Sequence, residues 1–145
     1  MTNLPELKAI TVVQPWAWAI AHVGKNIENR PWYTYQRGTI AIHAGQIWRR
    51  EDRMPRGVRQ PKDDEIVTGA IIAIADLVDC VESVRSKWFH EGEYGWVLDN
   101  IRPLKPPIPC TGALSFWKVP PRKVSVILQQ LTSYEAKWTM LQAVR

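Results

Sequence analysis

Between Val13 and Ala44 the chain gathers Gln14, Trp16, Trp18, Lys25, Glu28, Asn29, Arg30, Trp32 and His43. Lys25, Glu28 and Arg30 together supply a point charge, a carboxylate acceptor and a planar fork of donors. Arginine grips phosphate through two parallel bonds, whereas lysine meets it as a compact charge. An indole adds a stacking face worth roughly 1–3 kcal/mol per base. This set suits a flat, hydrogen-bonding, anionic ligand such as a base or a nucleotide. The same three charged residues also fit a structural ion pair that pins a loop, and that reading stands beside the first. Trp16 and Trp18 fall on different sides of a short helix, so only one of them can face a given ligand. Gln14 either meets a base edge or satisfies loop backbone.

Catalysis is a further option for these residues. A lysine stripped of water loses its proton closer to neutral pH and can serve as a base. Lys25, with Glu28, Arg30 and His43, would supply base, acid and cation for attack by a ribose 2′-OH, which needs no protein nucleophile. His43 follows Ile40 and Ile42 on an alternating run and falls on the opposite face. A hydrogen-bonded structural histidine is the leading reading of this position.

The whole chain bounds these options. Its 145 residues predict one domain with enough length to bury a core without a staple. Net charge is +5, with a sequence pI near 9.4. Most of that excess sits in one stretch, where Arg49, Arg50, Arg53, Arg56, Arg59 and Lys62 face only Glu51 and Asp52. It reads as a solvated basic loop or as a phosphate-contacting arm. Cys80 and Cys110 lie far apart, in no metal-ligand pattern, and are expected as free thiols. Three scattered histidines argue against zinc, so neither metal nor cofactor is expected. The N-terminus lacks the apolar run of a signal peptide, and no stretch reaches the length of a membrane span. The expected location is cytoplasmic.

Elements that would position the site follow from pattern. Residues 7–13 read as a strand. Pro15 suits a first helical turn, residues 16–23 a short helix, and Gly24 its end. Residues 25–31 read as a polar loop, 32–35 and 39–44 as strands about an Arg37-Gly38 turn, and 46–53 as a short helix. Residues 54–65 hold almost nothing apolar and read as a mobile loop. Residues 68–78 are near-continuously apolar and predict a buried central strand. Residues 94–99 and 112–119 read as strands, and the four prolines of 102–109 as an edge or extended connection. Apolar residues at helical spacing around 124–131 and 138–144 predict one or two helices packed on the outside.

The stretch TVVQPWAWAIAHVGKNIENRPW, with its G-x-K-x-x-E-x-R loop (Gly24, Lys25, Glu28, Arg30), resembles the opening of the ASCH domain family. GTIAIHA, TGAIIAIADLVDC and YGWVLDNIRPLKPPIPCTGALSFW continue the likeness in order, over Leu7 to about Lys118. The resemblance implies an α+β, mainly β fold: a small PUA-like β-barrel with a short helix after the first strand and peripheral C-terminal helices. The barrel would span residues 1–120, including a mobile basic loop at 49–65, with a helical extension at 121–145. The family is associated with RNA and nucleotide-related roles. Members are linked to nucleic-acid binding, single-strand ribonuclease activity and hydrolysis of acylated cytidine. In those hydrolases a Lys-x-x-Thr pair supplies base and nucleophile. Here Glu28 stands in the threonine's place, which removes the hydroxyl that would be acylated.

The resulting expectation is an RNA- or nucleotide-binding module, with single-stranded RNA as the main partner and DNA as another. Gln14, Trp16, Lys25, Arg30, Trp32, Arg49, Arg50 and Arg53 would bind. A metal-independent ribonuclease, or a modified-nucleoside hydrolase, using Lys25, Glu28 and His43 is the alternative.

Overall fold

The computed structural model describes residues 4–131. Strand β1 (Lys8–Gln14) buries Ala9, Ile10 and Val12. Helix α1 (Trp16–His22) follows at once. Its first turn is locked by a side chain from the preceding strand: Gln14 Oε1 accepts the Trp18 amide at 2.8 Å. This satisfies one of the donors that a helix start leaves open. Gly24 takes a φ of +80° just beyond the helix, a left-handed turn that glycine makes without strain.

The expected polar loop is instead a short strand, β2 (Ile27–Arg30), paired antiparallel with β5 (Tyr94–Pro109). Its apolar signal is a single residue, Ile27, because its charged side chains find partners inside the protein. The expected strand at 32–35 is an irregular link. Strand β3 (Gly38–Trp48) runs past the predicted end at Ala44 and absorbs the start of the predicted 46–53 helix. Pairing with β1 draws it out, since Gln14 sits opposite Trp48. Strand β4 (Ala70–Val81) is central, as its apolar run predicts, and is antiparallel to both β3 and β5. Strand β5 unites two expected pieces across irregularities in its pairing with β4. Its prolines fall beyond Val97, where β2 no longer lines its outer edge. Strand β6 is only Trp117–Lys118, shorter than the predicted 112–119. Helix α2 (Pro121–Gln130) matches the first predicted tail helix. The second, at 138–144, lies outside the described residues.

The six strands form one mixed sheet in the order β2-β5-β4-β3-β1-β6, with β1 and β3 parallel. The fold is therefore α+β and mainly β. The sheet is open: β2 and β6 are its edges, and no ladder joins them among the described residues. Side chains cross the gap that the expected barrel would close by backbone. Arg30 Nη2 on β2 donates to Thr11 O on β1 at 3.0 Å. Trp96 on β5 stacks on Phe116 beside β6 at 5.3 Å.

Strand alternation sends the core to two faces. Ile10, Ile20, Ile40, Ile42, Leu77 and Trp96 fill the side that α1 covers. Leu7, Ala9, Ala41, Ile71 and Ile74 meet Val124 and Ile127 of α2 on the other, so α2 belongs to the core. No helix among the described residues is long and apolar enough to cross a membrane.

The basic 49–65 segment, expected as a mobile loop, is anchored. Met54 is buried against Trp18 and Trp88, with Val58 and Ile66 beside it. Gln60 accepts the Met54 amide at 2.9 Å, and Arg59 grips Glu65 through two bonds at 2.7 and 2.9 Å.

Candidate functional site

A cleft of about 850 Å³ opens beside α1 and β2. Its floor is an ion cluster. Lys25 is 4% exposed and Glu28 7%. Lys25 Nζ donates to Ile27 O and lies 3.4 Å from Glu28 Oε1. Glu28 Oε2 accepts from Arg30 Nε at 2.9 Å. Residues 28 and 30 meet because they stand two apart on a strand and share a face. Arg30 also lies over the Trp96 ring, 5.4 Å from its centroid. Burial holds the Lys25 ammonium below its usual pKa, and the Glu28 carboxylate opposes that shift. Both Glu28 oxygens are thus engaged, and the structural ion cluster and the candidate ligand site are one set of atoms.

Trp16 is half-buried in the cleft wall. Its indole N–H donates to Asp52 Oδ2 at 2.9 Å, which fixes the ring. Arg49 and Arg53 stand at the rim from the basic segment, and both are exposed. Arg50 does not line the cleft. It lies over the Trp48 ring at 3.7 Å and reaches Asp63 at 3.9 Å. Arg59 is likewise occupied, over Trp18 and on Glu65. The single basic arm expected from the sequence is divided between the cleft and internal bracing.

Besides Arg50, three expected site residues lie elsewhere. Gln14 is fully buried and spends both ends of its amide within the chain, on the Trp18 amide and on Val67 O. Trp32 is outside the cleft lining, 6.3 Å edge-on to Trp96. His43 is 3% exposed and does not meet Lys25 or Glu28. It sits in a second hollow, with Nδ1 at 3.2 Å from Thr11 Oγ1 and Nε2 at 2.6 Å from Cys110 O. Desolvation lowers its pKa, and the Cys110 carbonyl partly restores it. These contacts fit the structural reading of His43 and separate it from the charged floor.

The opposite wall went unread in the sequence. Lys87, Trp88, Phe89 and His90 line it, ahead of Glu93. Asn29 clamps this segment to β2: its amide donates to Trp88 O at 2.9 Å and its oxygen accepts the His90 amide at 2.9 Å. His90 Nδ1 lies 3.1 Å from Glu93 Oε1. The available signal was an aromatic pair, Trp88-Phe89, flanked by Lys87 and His90 within a polar loop.

Lys25, Arg30, Arg49, Arg53 and Lys87 thus line one space together with Glu28, Glu51, Asp52 and Glu93. Such a mixed lining offers both donors and acceptors and suits a heterocycle with its phosphate. No curated protein matches this chain. A family model for the ASCH domain matches residues 10–140, nearly the whole sequence, and the chain belongs to the ASCH domain family.

Proposed function

We propose that this protein binds single-stranded RNA, or a nucleotide of it, in the cleft beside α1. The ASCH family is often linked to RNA binding, and the cleft supports the same reading. One observation carries it: a ring held by Asp52, the buried Lys25 and half-buried Arg30 on either side of Glu28, and two rim arginines converge on one space of nucleotide size. The base stacks against Trp16, Arg49 and Arg53 meet the backbone phosphates, and Lys25 and Arg30 set the potential of the floor. The curl that brings Arg30 onto β1 and Trp96 onto Phe116 supports a PUA-like barrel as the frame.

Titration of labelled single-stranded RNA against the Arg49→Glu/Arg53→Glu pair tests the proposal. Both side chains are exposed, so the fold is expected to persist. Affinity should fall about tenfold or more at low salt. The slope of log affinity against log salt should flatten by roughly 1.4, about 0.7 for each lost phosphate contact. Wild-type affinity and slope in the double variant would overturn the assignment.

The lowered pKa of Lys25 favours a second reading, metal-independent cleavage of the bound strand. The same RNA incubated with a chelator reports it as fragments ending in a cyclic phosphate. A nucleophilic role for Glu28 in nucleoside hydrolysis has less support, because Lys25 and Arg30 already hold both of its oxygens.

A further inference from the structure

The strongly exposed aromatic side chains among the described residues gather on one segment, the 31–37 link between β2 and β3. Trp32 is 46%, Tyr33 39% and Tyr35 88% exposed. The other large exposed apolar residues, Ile47, Val78, Leu114 and Val126, are aliphatic and scattered over other parts of the chain. The three rings are braced rather than loose. Tyr33 packs on Tyr35 with centroids 4.7 Å apart and meets Tyr94 edge-on at 5.8 Å. Arg37 Nη2 donates to the Tyr33 hydroxyl at 3.2 Å, and its Nη1 donates to Thr34 O and Gln36 O at 2.9 and 2.8 Å. Trp96 Nε1 donates to Trp32 O at 3.2 Å. A link with no regular structure is thus held in one shape while its rings face water. Rings fixed before contact lose little freedom on binding.

This segment adjoins the cleft. Strand β2 carries Glu28 and Arg30 into the floor and runs directly on to Pro31 and Trp32. Arg30 lies over Trp96, and Trp32 meets the same buried ring edge-on. One ring separates the cleft wall from the exposed set.

We propose that Trp32, Tyr33 and Tyr35 form a stacking platform for the bases of a single-stranded nucleic acid that continues out of the cleft. The proposal rests on the cleft being a nucleotide site and narrows its ligand to a strand of several nucleotides. A nucleic acid strand is the occupant that the chemistry favours. The segment's large exposed apolar side chains are all aromatic, and every base offers a face to such rings. Arg37 lies beside them, with Asp79 3.9 Å from its guanidinium, the cleft rim carries Arg49 and Arg53, and the chain holds a net charge of +5.

Calorimetry with uridine monophosphate, triuridylate and hexauridylate tests it on wild type, Tyr35→Ala and Tyr35→Phe. At 88% exposure, Tyr35 can be truncated without opening the core. The hexamer should bind wild type more tightly than the monomer. Tyr35→Ala should lose about five- to a hundredfold for the hexamer, the worth of one stacked base. It should bind the monomer as wild type does, and Tyr35→Phe should keep the full affinity. Equal hexamer affinity in wild type and Tyr35→Ala overturns the platform and leaves the rings to a protein partner. The cleft reading survives that result if the Arg49→Glu/Arg53→Glu pair still weakens the hexamer. Absence of binding by every length to wild type overturns both.

Discussion

Lys25 is a cation that its surroundings would reject without Glu28. The ammonium is almost dry, lies 3.4 Å from one carboxylate oxygen and donates to Ile27 O. Removing one partner of a buried pair costs about 3–5 kcal/mol, chiefly because the other charge stays buried and less compensated. Lys25→Ala should therefore lower stability by about 3 kcal/mol, a large part of what a domain of this size possesses. Arg30 still holds Glu28, which argues for the lower end of that range. Urea unfolding of Lys25→Ala and Lys25→Met gives the check, and the Met variant, which keeps the apolar stem, should lose less. A midpoint unmoved in Lys25→Ala would mean that the cluster does not hold the floor. It follows that binding losses in Lys25 variants report on folding as well as on contact, which makes Arg49 and Arg53 the cleaner probes. The charges themselves were legible in the sequence, and their convergence was legible in part. Reading 25–31 as a loop hid the simplest geometry, that Glu28 and Arg30 share one face of a strand. Gln14 and His43 each carried two readings for a physical reason: a polar side chain fully satisfied inside a fold has the same composition signal as one awaiting a ligand.

At the scale of elements, pattern succeeded where burial repeats and failed where it does not. The apolar run of β4 marked a central strand, and the spacing of Val124, Ile127 and Leu131 marked α2. The 49–65 segment defeated the same logic because the one residue it buries fully is a single methionine. Met54 carries no periodicity, yet it is 5% exposed between Trp18 and Trp88. Around it, Arg59 draws Glu65 down to a pKa of about 2, so this exposed clasp stays formed over the neutral range and loosens only in strong acid. Met54→Ala should cost about 2 kcal/mol, the low end for emptying a buried methionine site, because a surface segment can settle into the space. It should also speed trypsin cleavage after the exposed Arg56 and Arg59, since local opening frees the backbone around them to enter a protease site. Limited proteolysis against wild type decides: an unchanged rate would show that the segment is held by its ion pairs rather than by Met54. Because Arg49 and Arg53 reach the rim from this segment, its anchorage bears directly on the site.

The whole molecule brings together parts that no local pattern relates. The sequence showed strands but not their order, because pairing β1 in parallel with β3 and antiparallel with β6 depends on contacts between distant residues. His43 stands at that junction. It joins β3 to Thr11 of β1 and to the carbonyl of Cys110, and it meets Trp117 of β6 edge-on at 5.3 Å. Its burial lowers its pKa from 6.5, as partial burial does for His22. A depressed imidazole means that the unfolded chain binds more protons than the folded one in the window below 6.5. Stability is therefore complete above that value and drains away as the pH falls towards the folded-state pKa. Each such proton contributes at most about 1.4 kcal/mol per pH unit. The urea midpoint should hold level from pH 8 to 7 and decline below 6.5. His43→Gln should start from a lower midpoint, having lost the edge contact with Trp117, but decline less steeply, with His22 supplying the remaining slope. The slope carries the argument, because loss of packing alone would shift the curve without flattening it. Parallel curves for the two proteins would mean that the junction of β1, β3 and β6 does not sense protons through His43.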